Sequence, residues 1–161
     1  MEPLANDAVR GFWTKCQRDI DPAARKGSFR VRHFGEDARV ASLLVDLIVA
    51  EQKTGTFTSP WIFEGNANER PVVGGYTVVT DFDANPRLLL RTTAVRTMRF
   101  DEISEAETRV DGPAVRPLEA WRRVHWAYFE RKLAELNRKP SLDMPVTIEE
   151  FEMVCDASGI T

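Results

Sequence analysis

Val40, Leu43, Leu44, Leu47 and Ile48 recur at the three- and four-residue spacing that lays one apolar stripe along a helix. That stripe runs straight into Glu51-Gln52-Lys53-Thr54-Gly55-Thr56-Phe57-Thr58, where Gly55 permits a sharp change of direction and Thr54, Thr56, Phe57 and Thr58 favour a strand. Lys53 therefore falls at a helix-to-strand junction. An earlier stripe, Val9, Phe12, Trp13, Cys16 and Ile20, predicts a helix from about Asn6 to Ile20, capped by Asn6 or Asp7 and ended by Asp21-Pro22. A third, made of Trp121, Val124, His125, Tyr128, Phe129, Leu133 and Leu136, predicts the strongest helix, Pro117 to Asn137, with a wide apolar face against a sheet.

Strict alternation takes over elsewhere. Phe29-Arg30-Val31-Arg32-His33-Phe34 reads as a strand with Phe29 and Val31 inward and the arginines outward. Tyr76 to Thr80 is a second strand, Asp81 to Pro86 a hairpin turn, and Arg87 to Phe100 a returning strand long enough to be bent or bulged. Val146 to Cys155 closes the sheet. Ser59-Pro60-Trp61 reads as a serine cap with proline in the first helical position, giving one turn. These elements predict an α+β fold, an antiparallel sheet of five or six strands curled into a small β-barrel with flanking helices. Fold class alone does not assign function.

Composition changes the picture only at the margins. The 161 residues are 43% hydrophobic and 29% charged, which suits one ordinary globular domain. A formal net charge of -3 argues against gripping long nucleic acid by overall charge, so any nucleic-acid role must rest on a local basic groove. The two cysteines, Cys16 and Cys155, lie near opposite ends without CxxC spacing, suggesting neither a zinc site nor a disulfide framework. The opening Met1-Glu2-Pro3-Leu4 lacks the character of a signal peptide, and no apolar run reaches membrane-spanning length, so a cytoplasmic protein without membrane contact is expected.

Several of these segments, in this order, resemble a known family. They are Phe34-Gly35, Lys53-Thr54-Gly55-Thr56, Trp61, Gly75-Tyr76, Thr92-Thr93, Phe100-Asp101-Glu102-Ile103, Trp121 to Phe129 and Asp143-Met144-Pro145-Val146. The chain resembles ASCH domain proteins of the PUA-like superfamily, in the longer bacterial branch with an extra N-terminal helix. The resemblance implies a helical extension over 1–27, the ASCH domain over 28–155 and a loose tail over 156–161. It also implies a β-barrel with a cleft beside it, RNA or modified-nucleoside recognition, and no cofactor. Related small proteins are amidohydrolases acting on acylated cytidine, and some relatives are ribonucleases. The shorter branch carries G-x-K-x-x-E-x-R; here Glu51, Thr56 and Thr58 stand for its glycine, glutamate and arginine, and only Lys53 carries over.

Two chemistries compete for the junction. In a binding module, Lys53 grips a phosphate or base carbonyl, Trp61 and Tyr76 stack a base, and Thr54, Arg116, Trp121 and His125 complete the contacts. In a hydrolase, Lys53 acts as base, Thr56 as nucleophile and Asp111 as the orienting acid. The bland alternatives stay open: Lys53 as a cation at a helix C-terminus, the threonines as strand residues, the aromatics as core, and His125 as a hydrogen-bonded packing residue. With only His33 as a companion, His125 does not suggest a metal site. If Lys53 lines an open cleft, replacing it by alanine weakens binding and leaves the melting temperature nearly unchanged.

Overall fold

The computed structural model describes residues 6–25 and 27–159; the first five residues, Lys26 and the last two residues of the expected tail lie outside them. Helix α1 (Asp7–Cys16) starts where the Asn6 side chain accepts from the Val9 amide and continues into a single 3₁₀ turn, so it is shorter than the apolar stripe. Strand β1 (Phe29–Arg32) follows. Gly35, at φ +87°, then turns the chain so tightly that a side chain there would strike the Ala41 backbone at 2.8 Å. Asp37 caps α2 (Ala38–Val49), which delivers the chain to β2 (Gly55–Thr58). Ser59 caps the single turn α3 (Pro60–Phe63), and β3 (Tyr76–Thr80) and β4 (Pro86–Arg99) form the expected hairpin. The short α4 (Glu105–Thr108) precedes α5 (Leu118–Ala134), and β5 (Pro145–Asp156) ends the sheet.

The five strands lie in the order β1-β3-β4-β5-β2. Two expectations need correction. Strand β1 pairs parallel to β3, so the sheet is mixed, and β1 and β2 stand at opposite ends of the order without pairing, so the sheet does not close into a barrel. It curls nonetheless. Side chains leave a sheet roughly perpendicular to it, yet Arg30 on β1 reaches Glu149 on β5 at 2.6 Å across two intervening strands.

Each face is covered. On one, α2 seals Val45 and Ile48 over Val79, Leu90 and Phe151. On the other, α1 covers Tyr76, Val78 and Leu89, while α5 sets Trp121, Phe129 and Leu133 against Phe57, Val146 and Ile148. Val124 and Leu136, expected on the buried face of α5, are instead exposed. A further correction concerns the cysteines: Cys16 of α1 and Cys155 of β5 form a disulfide across 139 positions of sequence. Among the described residues no helix is long and apolar enough to cross a membrane.

Candidate functional site

The Lys53 junction is built by the way α2 stops. Ala50 and Glu51 end the helix, Glu51 takes a left-handed φ of 59°, and the Gln52 and Lys53 amides both turn back to the Leu47 carbonyl at 2.8 and 3.1 Å. The chain then docks against the loop after α4, with the Thr54 and Gly55 amides donating to the Val110 carbonyl. Only glycine fits at position 55, because a Cβ there would lie 2.7 Å from both the Glu149 carbonyl oxygen and the Val110 side chain. This close approach carries Asp111 to Lys53.

The two side chains form a buried ion pair, Lys53 Nζ donating to Asp111 Oδ1 at 2.8 Å with 5% of each side chain exposed. The same oxygen accepts from the Gly112 amide at 2.9 Å. His125 brings Nε2 to 3.4 Å from Asp111 Oδ2, while its Nδ1 lies 3.0 Å from the Trp121 carbonyl. Burial pulls the imidazole down to about 4, against the attraction of Asp111, so the ring is neutral at pH 7. A neutral ring has one N–H, so His125 donates either to the Trp121 carbonyl at 3.0 Å or to the Asp111 carboxylate at 3.4 Å, but not to both. Arg116 ties the loop down by donating to the Asp111 and Gln52 carbonyls at 2.9 and 2.6 Å. Lys53 is a closed brace between β2 and this loop, not the lining of an open cleft.

A second polar cluster occupies the opposite side of β2. Thr56 stands directly across from Glu149, and Thr58 from Thr147, so all four face the same way. Phe57, between the two threonines, packs on Trp121 and His125, and successive side chains on a strand point to opposite faces. Glu149, almost fully buried, accepts from Arg30 Nη2 and Thr92 Oγ1 on one oxygen, both at 2.6 Å. Its other oxygen is 3.8 Å from Arg32 Nη1. Arg30 also donates to Thr77 Oγ1 and the Glu69 carbonyl. Burial lowers the Arg30 guanidinium from its ordinary value, with Glu149 opposing.

The ASCH domain family model matches residues 30–155. The chain belongs to the ASCH domain family. The family is PUA-like and often linked to RNA binding. An ASCH domain of Lactobacillus crispatus JV V101 superposes with a TM-score of 0.83 at 23% identity, over 92% of this chain and 95% of that one. A protein of Enterococcus faecalis V583, assigned to DUF984, superposes at 0.80 with 26% identity, over 92% and 88%. A search of curated protein sequences returned no match.

The residues singled out in this ASCH chain do not all meet. Lys53, Asp111, His125 and Arg116 converge, with Trp121 stacked on His125 at 4.4 Å and fully buried. Thr56 points away from them. Thr54 is exposed, and its backbone links Val110 to Phe151. Tyr76 packs on Trp13 under α1, remote from Lys53. Half-buried Trp61 carries the Arg138 guanidinium 4.7 Å from its ring centre. Arg138 in turn lines a surface depression of about 640 Å³ with Trp126, Glu130 and Pro140. Arg30 and Arg32, expected to face solvent, instead enter the buried face of the sheet, because β1 is covered on both sides. Glu149 is not among the residues the sequence marks as functional. Its signal was the Thr147-x-Glu149-x-Phe151 alternation opposite Val146 and Ile148, which puts a carboxylate in line with a buried aromatic. Thr56 and Thr58, where the short-branch pattern has glutamate and arginine, face this cluster, so the charge that β2 lacks arrives from β5 and β1.

Proposed function

We propose that this chain is a binding module for single-stranded RNA or a nucleotide, with the ligand held on the polar face beside the Lys53 junction. The observation that carries the reading is the cluster of Arg30, Arg32 and Glu149, set among Thr56, Thr77 and Thr92. Two guanidiniums and several hydroxyls on a covered sheet face are expensive to bury for packing alone, and they match the sugar, phosphate and base edges of an unpaired nucleotide. Lys53 serves as a positioning residue, fixing β2 and thereby Thr56 and Thr58. The hydrolase alternative needs Lys53, Thr56 and a carboxylate on one side; Lys53 and Asp111 meet, but Thr56 faces Glu149 across the strand, which favours binding over catalysis.

The test is fluorescence anisotropy with labelled single-stranded oligoribonucleotides, a duplex of the same sequence as control, and unlabelled nucleosides and nucleotides as competitors. Saturable binding to the single strand, displaced by a mononucleotide and weakened at least tenfold in Arg30→Gln at unchanged circular dichroism, supports the reading. Absence of binding to every probe, or binding indifferent to Arg30→Gln, overturns it.

A further inference from the structure

Within the polar cluster one charged group is left without a hydrogen bond. Arg30 has four hydrogen bonds, to Thr77, Glu69 and Glu149. Glu149 has one oxygen filled by Arg30 and Thr92. Arg32 makes no hydrogen bond to any described residue: its Nη1 is buried without a partner, 3.8 Å from Glu149, and the guanidinium sits 5.3 Å from the Phe34 ring centre. Arg32 and Arg30 together outnumber Glu149 by one positive charge. The Arg32 side chain is 16% exposed, and a largely covered cation whose inner nitrogen has no hydrogen bond is relieved by an anion that accepts from it.

We propose that Arg32 is the anion subsite of the nucleotide site and takes the ligand's phosphate, so the protein prefers a nucleoside monophosphate, or a nucleotide within a strand, over the free nucleoside. This rests on the reading of the preceding subsection and specifies its ligand class. A guanidinium offers a planar fork that matches phosphate oxygens in pairs, and Phe34 and Glu149 hold this one from two sides. Access runs along the seam between the β1–α2 connection and α5. Tyr128 of α5 is close enough to Arg32 to feel its charge, and one turn further on Arg131 pairs with Glu36 of the connection. That pair is half exposed at both ends, and such pairs contribute little, so it offers weak resistance to a ligand entering the seam.

Calorimetric titration with each of the four ribonucleosides and its 5′-monophosphate decides the matter, with inorganic phosphate as competitor. The expected result is a monophosphate bound at least tenfold more tightly than its nucleoside, with inorganic phosphate competing against it. In Arg32→Gln, the monophosphate should fall to the nucleoside's affinity while the nucleoside changes less than threefold. Arg32→Lys, which keeps the charge and the folded state but loses the fork, should retain part of the preference. Equal binding of nucleoside and monophosphate by the parent protein, or a preference that survives in Arg32→Gln, overturns the subsite and leaves the binding module standing. No binding of any nucleoside, nucleotide or oligonucleotide overturns both.

Discussion

Replacing Lys53 by methionine keeps the length of the side chain and removes its charge, which leaves Asp111 95% buried with the Gly112 amide and a neutral histidine for company. At 2.8 Å the gross attraction of the pair is about 6 kcal/mol for an effective dielectric of about 20. Desolvation of both ions offsets most of that, so the pair as a whole adds little, but breaking it strands a charge and costs about 3–5 kcal/mol. For a chain of this length each kcal/mol lowers the melting temperature by about 2–4 °C, so a fall of roughly 6–20 °C is expected. Asp111→Asn should cost a comparable amount. The double variant Lys53→Met with Asp111→Leu removes both ions and should lose less than the sum of the singles, with a coupling of at least about 2 kcal/mol by urea denaturation. If either single variant lost under about 1 kcal/mol, Lys53 would be a solvated cation after all, and the contrary expectation of an unchanged melting temperature would stand.

Three other outcomes follow from particular residues. Glu51→Gly should stabilise the protein by about 0.5–1 kcal/mol in chemical denaturation, because Glu51 occupies a left-handed φ of 59° that glycine adopts without strain; destabilisation would mean the Glu51 side chain makes up for its backbone. Removing the Cys16–Cys155 disulfide, as Cys16→Ala with Cys155→Ala, opens a loop of 139 positions, for which chain entropy sets an upper bound of about 5 kcal/mol; a denaturation midpoint indifferent to reductant and to both substitutions would refute the pairing. His125, lowered to about 4 in the fold, is protonated first in the unfolded chain, whose value is near 6.5. Its contribution is therefore fully present above pH 6.5 and lost as pH falls toward 4, by about 3 kcal/mol in all. His125→Gln should flatten that slope in a pH series of urea melts, and an unchanged slope would exclude the histidine as its cause.

Local signals in this chain are good guides to elements and poor guides to faces. The caps at Asn6 and Ser59, the stripe of α1 and the β3–β4 hairpin stand where spacing puts them, whereas α2 is a helix that buries Ala41, Val45 and Ile48 and leaves Leu43, expected on its apolar face, 53% exposed. Alternation in β1 correctly separates Phe29 and Val31 from Arg30 and Arg32 but cannot say that both sides are covered; that depends on α1 and on a sheet curled enough to bring Glu149 within reach. The parallel pairing of β1 with β3 and the disulfide are contacts between segments far apart in sequence, and no window of neighbouring residues encodes either. Asp111 is legible in the sequence only as a carboxylate in the loop before the strongest helix. Glu149, one of two consecutive glutamates in a strand, was hidden because its neighbour Glu150 is the more solvated of the two and makes the pair look like surface.

The two polar clusters differ in how far their charged groups are met, and on the proposed reading that difference separates scaffold from site. Around Lys53 the charges are matched inside the chain: the ammonium has its carboxylate, the carboxylate has a second donor, and Arg116 spans the loop to the end of α2, while the buried Trp121 Nε1 beside them is a neutral donor without a partner among the described residues. Such a set resists change and fixes where β2 lies. Across β2 the demands are not met, since Arg32 lacks an acceptor and Thr58 Oγ1 is buried without a partner. Stability alone would favour apolar side chains at both positions. Three apolar clusters, under α1, α2 and α5, enclose the sheet and supply enough burial for the fold to tolerate these two unmet groups. A closed brace beside an unsatisfied cation is the arrangement expected of a preorganised binding face, where rigid neighbours hold a donor ready and the ligand supplies the missing acceptor.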